Sequence, residues 1–289
     1  MARKPDGMTL QRRVVRWALA AGRRVLEDYS HPKSPKTYTQ PQLLACLVLR
    51  AYGKYTYRGV VEAIADSDAL RQELGLADGR VPRHTTLEEF AGRTDPRVVE
   101  RVVAEVLALD GRPVEDLAED STGLQAGGAS LHYLSRTGKA CAAYVKLSLA
   151  VACDTLMAVA AVASRGPTHD VVEARALDWL AAGRCRPARV YKDAGYDREW
   201  AHVFWRQGCG ASSFIPPVAR GGSGGVVRSR WRAEMARRGM PACYGRRWHV
   251  ESFIAGLKRV TGDKLFARSD AARFTEAMLR LLAYQCRRA

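Results

Sequence analysis

Residues 142–164, AAYVKLSLAVACDTLMAVAAVAS, are the one stretch apolar enough to be considered as a membrane span. They contain Lys146 and Asp154, and their apolar residues alternate with a period of two, which is typical of strands rather than of a membrane helix. One face of the first half carries Val145, Leu147, Leu149, Val151 and Cys153. The pattern predicts two antiparallel strands joined at Asp154-Thr155, so the fold must contain a sheet.

The first hundred residues show the start and stop signals of helices. Four segments have them: LQRRVVRWALAAGRRVLEDY, PQLLACLVLRAY, TTLEEFAGR and DPRVVERVVAEVLALDG. The signals are a Thr39 cap with Pro41 in the first turn, a Thr85-x-x-Glu88 capping box, and an Asp95 cap with Pro96 and a closing Gly111. Residues 1–111 are therefore predicted to be a helical N-terminal region. The arginines of its first helix either contact DNA or form a solvated face: Arg12, Arg13, Arg16, Arg23 and Arg24.

From residue 112 the pattern changes to strands alternating with helices. A short strand, PVEDLAEDS, ends near Asp120, and the hairpin follows it. Next come a helix with an Asp170-x-x-Glu173 capping arrangement and a closing Gly183, a strand ARVYKD ending at Asp193, a helix with an Asp197 cap and a Gly208 stop, and a strand SSFIPPV. Only ARGGSGG, residues 219–225, reads as a linker.

This order predicts an α/β or α+β layer architecture with a mixed sheet, and it resembles the ribonuclease H-like fold. We expect residues 112–289 to form that domain together with C-terminal helices.

The charge of the chain points to a polyanionic partner. The 289 residues carry a formal charge of +16 with an isoelectric point near 9.9, and nucleic acid is the first partner to test. A merely basic protein from an arginine-rich proteome is the alternative. Seven scattered cysteines without a Cys-x-x-Cys pair, and an N-terminus without an apolar secretory stretch, indicate a cytosolic protein with reduced thiols.

Residues 244–259, YGRRWHVESFIAGLKR, combine a polar and an apolar stripe. On a single helix, Tyr244, Arg247, Glu251 and Lys258 fall within about 60° of one another. The opposite side carries Val250, Phe253, Leu257 and Val260. An ordinary surface helix with an Arg247/Glu251 ion pair explains part of this pattern, but not the tyrosine and the lysine in line with it.

The spacing Tyr244-x2-Arg247-x3-Glu251-x6-Lys258 resembles the Tyr-Arg-Glu-Lys signature of bacterial insertion-sequence DDE transposases. EDSTG around Asp120 and KDAGYD around Asp193 resemble the contexts of the family's first two catalytic aspartates. RGPTHD, residues 165–170, is similar to the family's turn before the first helix, and RHTTLEEF to the segment before the catalytic domain.

The resemblance implies that Asp120, Asp193 and Glu251 are the catalytic carboxylates. Phosphodiester cleavage and strand transfer need an activated attacking oxygen and a stabilised leaving oxygen, which two Mg²⁺ ions (or Mn²⁺) held by carboxylates can provide. Purely structural roles stay open for two of them, because Asp120 could be a turn residue and Asp193 could cap the next helix in place of Asp197. Three other acidic residues are weaker substitutes for the site: Asp116, Glu119 and Asp154.

The same resemblance implies that Tyr244, Arg247 and Lys258 contact double-stranded DNA at the transposon end. Arg246 belongs to a basic cluster suited to backbone neutralisation, and Trp248 is placed to stack on a base or to pack. The other members of this cluster are Arg220, Arg228, Arg230, Arg232, Arg237 and Arg238. Only 57 residues separate Asp193 from Glu251, too few for a long inserted β domain.

The predicted partners are terminal inverted repeats, target DNA and a second copy of the chain, because two DNA ends must be joined. Two other functions stay open. One is a metal-dependent nuclease on the same scaffold, and the other is a domesticated transposase that binds DNA without cutting it.

Overall fold

The computed structural model describes residues 7–76, 79–126, 144–218, 227 and 229–289. The chain forms two compact units: unit 1, with Met1–Asp110, Gln125–Ala142 and Leu257–Ala289, and unit 2, with Gly111–Leu124 and Ala143–Gly256. The predicted linker at 219–225, together with Arg220 and Arg228, lies outside the described residues. The division into domains at residue 111 stays a prediction.

Unit 1 is helical. Its helices are α1 (Leu10–Val25), α2 (Gln40–Gly53), α3 (Tyr57–Ala65), α4 (Asp68–Leu74), α5 (His84–Arg93), α6 (Pro96–Asp110) and, near the C-terminus, α11 (Asp270–Arg288). Helices α1, α2, α6 and α11 pack on one another around apolar side chains that include Val15, Leu47, Val103 and Leu281, all fully buried. The predicted helical character of the N-terminal region is confirmed.

The caps of these helices match the sequence signals in two of three cases. Thr39 forms a capping box with Gln42, and Asp95 accepts a hydrogen bond from the Arg97 amide at 2.7 Å. The predicted Thr85-x-x-Glu88 capping box is wrong, because the N-cap of α5 is Arg83, two residues before Thr85. Helices α3 and α4, capped by Thr56 and Ser67, are too short for the apolar periodicity to have marked them.

Three arginines of α1 form ion pairs within unit 1. Arg12 and Arg16 lie 3.3 Å and 2.6 Å from the carboxylate of Glu73, and Arg24 lies 2.8 Å from that of Glu105. Arg16 and Arg24 stay 53% and 57% exposed, so DNA contact and a solvated face both stay open for this helix.

Unit 2 is built on the mixed sheet. The strands are β1 (Asp116–Ala126), β2 (Tyr144–Ala152), β3 (Met157–Gly166), β4 (Arg189–Lys192), β5 (Ser212–Phe214) and the short β6 (Lys264–Leu265). Their order is β3-β2-β1-β4-β5, and β6 pairs with the last two residues of β1, which like β6 belong to unit 1. Strands β2 and β3 form the predicted antiparallel hairpin, whereas β1, β4 and β5 are parallel. The expected ribonuclease H-like architecture is confirmed.

The other helices among the described residues are α7 (Asp170–Ala182), α8 (Glu199–Val203), α9 (Arg230–Arg238) and α10 (Trp248–Thr261). A π-helical turn, Phe204–Gly208, follows α8, and a 3₁₀ segment, Ala242–Arg247, leads into α10. Gly183 and Gly208 end their segments as predicted.

Three predicted boundaries in unit 2 are wrong. Strand β1 continues to Ala126, so Asp120 lies in mid-strand rather than at its end. Helix α7 has His169 at its N-cap, and the Asp170 and Glu173 carboxylates bind Lys146 instead of forming a capping box. Asp197 caps no helix, because its carboxylate binds Arg232 at 2.7 Å.

In the described part of the chain, no helix combines the length and the apolarity needed to cross a bilayer. The described cysteines are free thiols.

Candidate carboxylate site

Two aspartates lie side by side where β1 and β4 pair. The parallel register places Glu119 beside Lys192, so the next residues, Asp120 and Asp193, are neighbours as well. Side chains alternate along a strand, which sends these aspartates to the face opposite that of Glu119 and Lys192. The Tyr244 hydroxyl donates a hydrogen bond to the Lys192 carbonyl at 3.0 Å, next to Asp193 in the chain.

Asp120 is half-buried on this face. Its Oδ1 accepts a hydrogen bond from the Ser121 amide at 2.7 Å, and its Oδ2 lies 3.6 Å from Arg247 Nη1. Burial, followed by the negative charges of Asp193 and Glu251, raises the pKa of Asp120 to about 6, against the lowering effects of the Ser121 amide and Arg247. Three carboxylates that influence one another in this way share one region of the molecule.

Asp193 directly follows β4 and holds a tight turn. Its Oδ1 accepts a hydrogen bond from the Gly195 amide at 2.8 Å, at the start of the 3₁₀ turn Ala194–Tyr196. Asp193 is therefore a cap itself, although Asp197 was expected to relieve it of that role. Burial, followed by the charge of Asp170, raises the pKa of Asp193.

Glu251 reaches the site through Arg247. The prediction that one helix carries Tyr244, Arg247 and Glu251 is wrong, since the first two lie in the 3₁₀ segment and α10 begins at Trp248. Arg247 nevertheless donates to the Glu251 carboxylate one turn later, while its other terminal nitrogen faces Asp120. The guanidinium thus joins the two acidic groups. The apolar side of α10 is confirmed, with Val250, Phe253 and Leu257 buried and Val260 half-buried.

The remaining predicted DNA contacts differ in their surroundings. Arg246 Nε lies 2.7 Å from Asp116 Oδ2, and its Nη2 binds Asp154. Trp248 is 59% exposed, which leaves its ring accessible. Lys258 is half-buried on α10, two turns after Glu251.

The acidic residues considered as substitutes are occupied elsewhere. Asp116 receives two hydrogen bonds from Arg189, at 2.5 Å and 3.0 Å, in addition to the contact with Arg246. Asp154 binds Arg246. Glu119 is fully buried on the other face of the sheet, 2.7 Å from Lys192 Nζ.

The sequence analysis missed a fourth carboxylate, that of Asp170. Its Oδ1 lies 2.5 Å from Ser121 Oγ and 3.0 Å from Lys146 Nζ. A Cβ atom added at Gly195 would lie 2.8 Å from Asp170 Oδ2 and 3.0 Å from Asp193 Oδ1, so the two carboxylates face each other across a gap that only glycine fits. Asp170 is the last residue of the motif RGPTHD, which was recognised in the sequence. Because a helix starts there, Asp170 was interpreted as its cap and not as a site residue.

The donor chemistry of this site suits a hard divalent cation. Carboxylate oxygens are the ligands that Mg²⁺ prefers, and the charges of Asp193 and Glu251 both act on Asp120, so negative charge is concentrated there. The described residues contain no group of three His, Cys, Asp or Glu side chains arranged to hold a metal ion. In this structure Arg247 supplies the positive charge between Asp120 and Glu251.

A mixed sheet with helices and with acidic residues on and directly after two adjacent parallel strands is the architecture of the ribonuclease H-like class. The chain matches the family described as transposase DDE domain over residues 115–286, more than half of its length, and it belongs to that family. A search of curated proteins finds no match. The family resemblance is thus confirmed, and with it a transposase role and DNA binding. The Tyr-Arg-Glu-Lys signature and the roles of individual residues stay predictions.

Proposed function

We propose that this protein is the transposase of an insertion sequence, which cuts DNA at terminal inverted repeats and joins the freed 3′ ends to target DNA. The observation that carries the proposal is that Asp120 and Asp193 come directly after the paired residues Glu119 and Lys192 of two parallel strands, with Glu251 connected to Asp120 through Arg247. Carboxylates that are far apart in the sequence are brought to one face of the sheet.

Asp120, Asp193 and Glu251 would hold the divalent cations, Mg²⁺ or Mn²⁺. Two such ions would activate the attacking oxygen, which is water in cleavage and the 3′-OH in strand transfer, and would stabilise the leaving oxygen. The residues fix the positions of these ligands. Asp120 is anchored by the Ser121 amide, and Asp193 by the Gly195 amide, so each aspartate is pre-oriented before DNA arrives.

The cationic and aromatic residues near the site would hold the DNA. Arg247 already binds carboxylates, and a DNA phosphate offers the same kind of paired oxygen acceptors. Lys258 and Arg246 would add charge along the backbone, Tyr244 would line the transposon end, and exposed Trp248 would stack on a base. Joining two ends requires two active sites, which favours a homodimer in the complex with DNA.

The test uses the purified chain, Mg²⁺ and DNA that carries the ends of the element. We expect cleaved ends and joined products from the wild type, and neither from Asp193→Ala. Asp68→Ala is the matched control, because it removes an exposed aspartate from α4.

Full activity in Asp193→Ala would reject the site. Cleavage without joined products would instead identify a nuclease, and normal DNA affinity without cleavage in any divalent metal would identify a non-catalytic DNA-binding protein.

A further inference from the structure

A buried charged cluster lies on the opposite face of β1 and β4, directly behind the two aspartates. Lys192 Nζ lies 2.7 Å from Glu119 Oε2 and also contacts Asp178 Oδ1 on α7. Trp205 Nε1 donates a hydrogen bond to the same Asp178 oxygen at 2.8 Å. The side chains of Glu119, Asp178 and Lys192 are at most 1% exposed. We call these three residues the buried triad.

Aromatic rings complete the surroundings of the ammonium group. Lys192 Nζ lies 5.6 Å from the ring centroid of Tyr196 and 5.9 Å from that of Trp205. Both distances are within the range of a cation–π interaction. The lysine is thus held by two acidic groups and two rings in a fixed position.

Stability alone does not account for this triad. Buried ions lose much of their hydration, and replacing a buried ion pair by apolar residues of similar volume is often neutral or stabilising. Charged contacts in a core can, however, select one arrangement among several. A role in positioning neighbouring residues is therefore the better explanation for the buried triad.

The triad fixes the register between β1 and β4. A shift of β4 by two residues would keep the same face inward but move Lys192 about 7 Å from Glu119. Apolar residues at both positions would tolerate such a shift far better than a buried lysine separated from its carboxyl partner. Because Asp120 and Asp193 are the next residues along the strands, the register that pairs Glu119 with Lys192 also sets the spacing of the two aspartates.

We propose that Glu119, Lys192 and Asp178 are positioning residues that set the spacing of the Asp120 and Asp193 carboxylates. Lys192 is suited to this role because both its side chain and its backbone are held: the ammonium contacts Glu119 and Asp178, and the carbonyl accepts a hydrogen bond from the Tyr244 hydroxyl. The inference rests on the proposed function, in which those two aspartates bind the cations.

The test is a variant that removes every charge of the triad and keeps its volume: Glu119→Met, Lys192→Met and Asp178→Asn in one full-length chain. The asparagine oxygen still accepts from Trp205. We expect a cooperative melting transition near that of the wild type, since no uncompensated charge remains. We expect DNA cleavage to fall by about 100-fold and the affinity for Mn²⁺ alone, measured by calorimetry, to fall by about 10-fold.

The matched control is Arg206→Met with Glu234→Gln, which removes another partly buried ion pair of unit 2. It should leave Mn²⁺ affinity and cleavage near the wild-type values. If the triple variant does not fold, Asp178→Asn alone loosens the hold on Lys192 and should weaken Mn²⁺ binding in the same direction.

Wild-type Mn²⁺ affinity and cleavage in the triple variant, or in Asp178→Asn if only that one folds, would overturn the inference. Asp193→Asn is assayed alongside and separates the two proposals. If Asp193→Asn abolishes cleavage while the triad variant stays fully active, the assignment of the carboxylate site is supported and the positioning role of the triad is rejected. If Asp193→Asn stays active, the site assignment itself fails.

Discussion

At the scale of single residues, we expect the protonation of Asp120 to control how well the proposed site receives a cation. The pKa of Asp120 is raised to about 6, chiefly by burial and then by Asp193 and Glu251. The carboxyl group is therefore protonated below that pH and ionised above it. We expect the affinity for Mn²⁺, measured by calorimetry on the DNA-free protein, to increase as pH rises through about 6.

Asp120→Asn removes the titrating group and should bind Mn²⁺ weakly at every pH. An affinity that is the same on both sides of pH 6 in the wild type would contradict this prediction.

Glu119 makes stability depend on pH. Burial, followed by the charge of Asp178, raises the pKa of Glu119 well above 4.5, against the lowering effect of Lys192. The native state holds this proton longer than the unfolded state does, so Glu119 stabilises the fold below pH 4.5 and loses that contribution as pH rises towards its native pKa.

We expect Glu119→Gln, which mimics the protonated form, to reduce the decline of the free energy of unfolding between pH 5 and 8, measured by urea denaturation. Parallel pH profiles for wild type and variant would show that Glu119 is ionised in the native protein.

At the scale of elements, the 3₁₀ turn after β4 depends on Gly195. A Cβ atom there would lie 2.8 Å from Asp170 Oδ2 and 3.0 Å from Asp193 Oδ1, so one carboxylate would have to move. We expect Gly195→Ala to lower cleavage by at least about 10-fold, because the site depends on ligand placement, and to lower stability much less.

Gly208→Ala is the control, since a Cβ at Gly208 meets no atom within 4 Å. Equal activity in the two variants would show that the contact between the carboxylates and Gly195 does not matter for the reaction.

At the scale of the whole molecule, the formal charge of +16 should dominate DNA binding. We expect affinity for duplex DNA to fall steeply with salt, because bound cations are released from the phosphates. Arg247→Ala should weaken binding and reduce the slope of log K against log salt by about 1. The measurement is fluorescence anisotropy over a range of salt concentrations, and an unchanged slope would mean that Arg247 contacts no phosphate.

The sequence by itself determined the elements whose signals are local. The alternating apolar residues of 144–166 define the hairpin of β2 and β3, and Thr39 and Asp95 mark helix starts through bonds to the next few amides. The order of strands and helices was enough for the mixed sheet, and the spacing of residues 244–258 together with the motifs around Asp120 and Asp193 was enough for the family.

Only the tertiary structure decided what each charged side chain binds. Asp197 was expected to cap a helix but binds Arg232, 35 residues away, and Asp170 was expected to cap but faces Asp193 across Gly195. Lys192 lies in a strand of four residues, and nothing in its neighbours shows that it is buried against Asp178. Capping and periodicity are set by neighbouring residues, whereas the partner of a buried charge is set by which distant elements the fold brings within a few ångström.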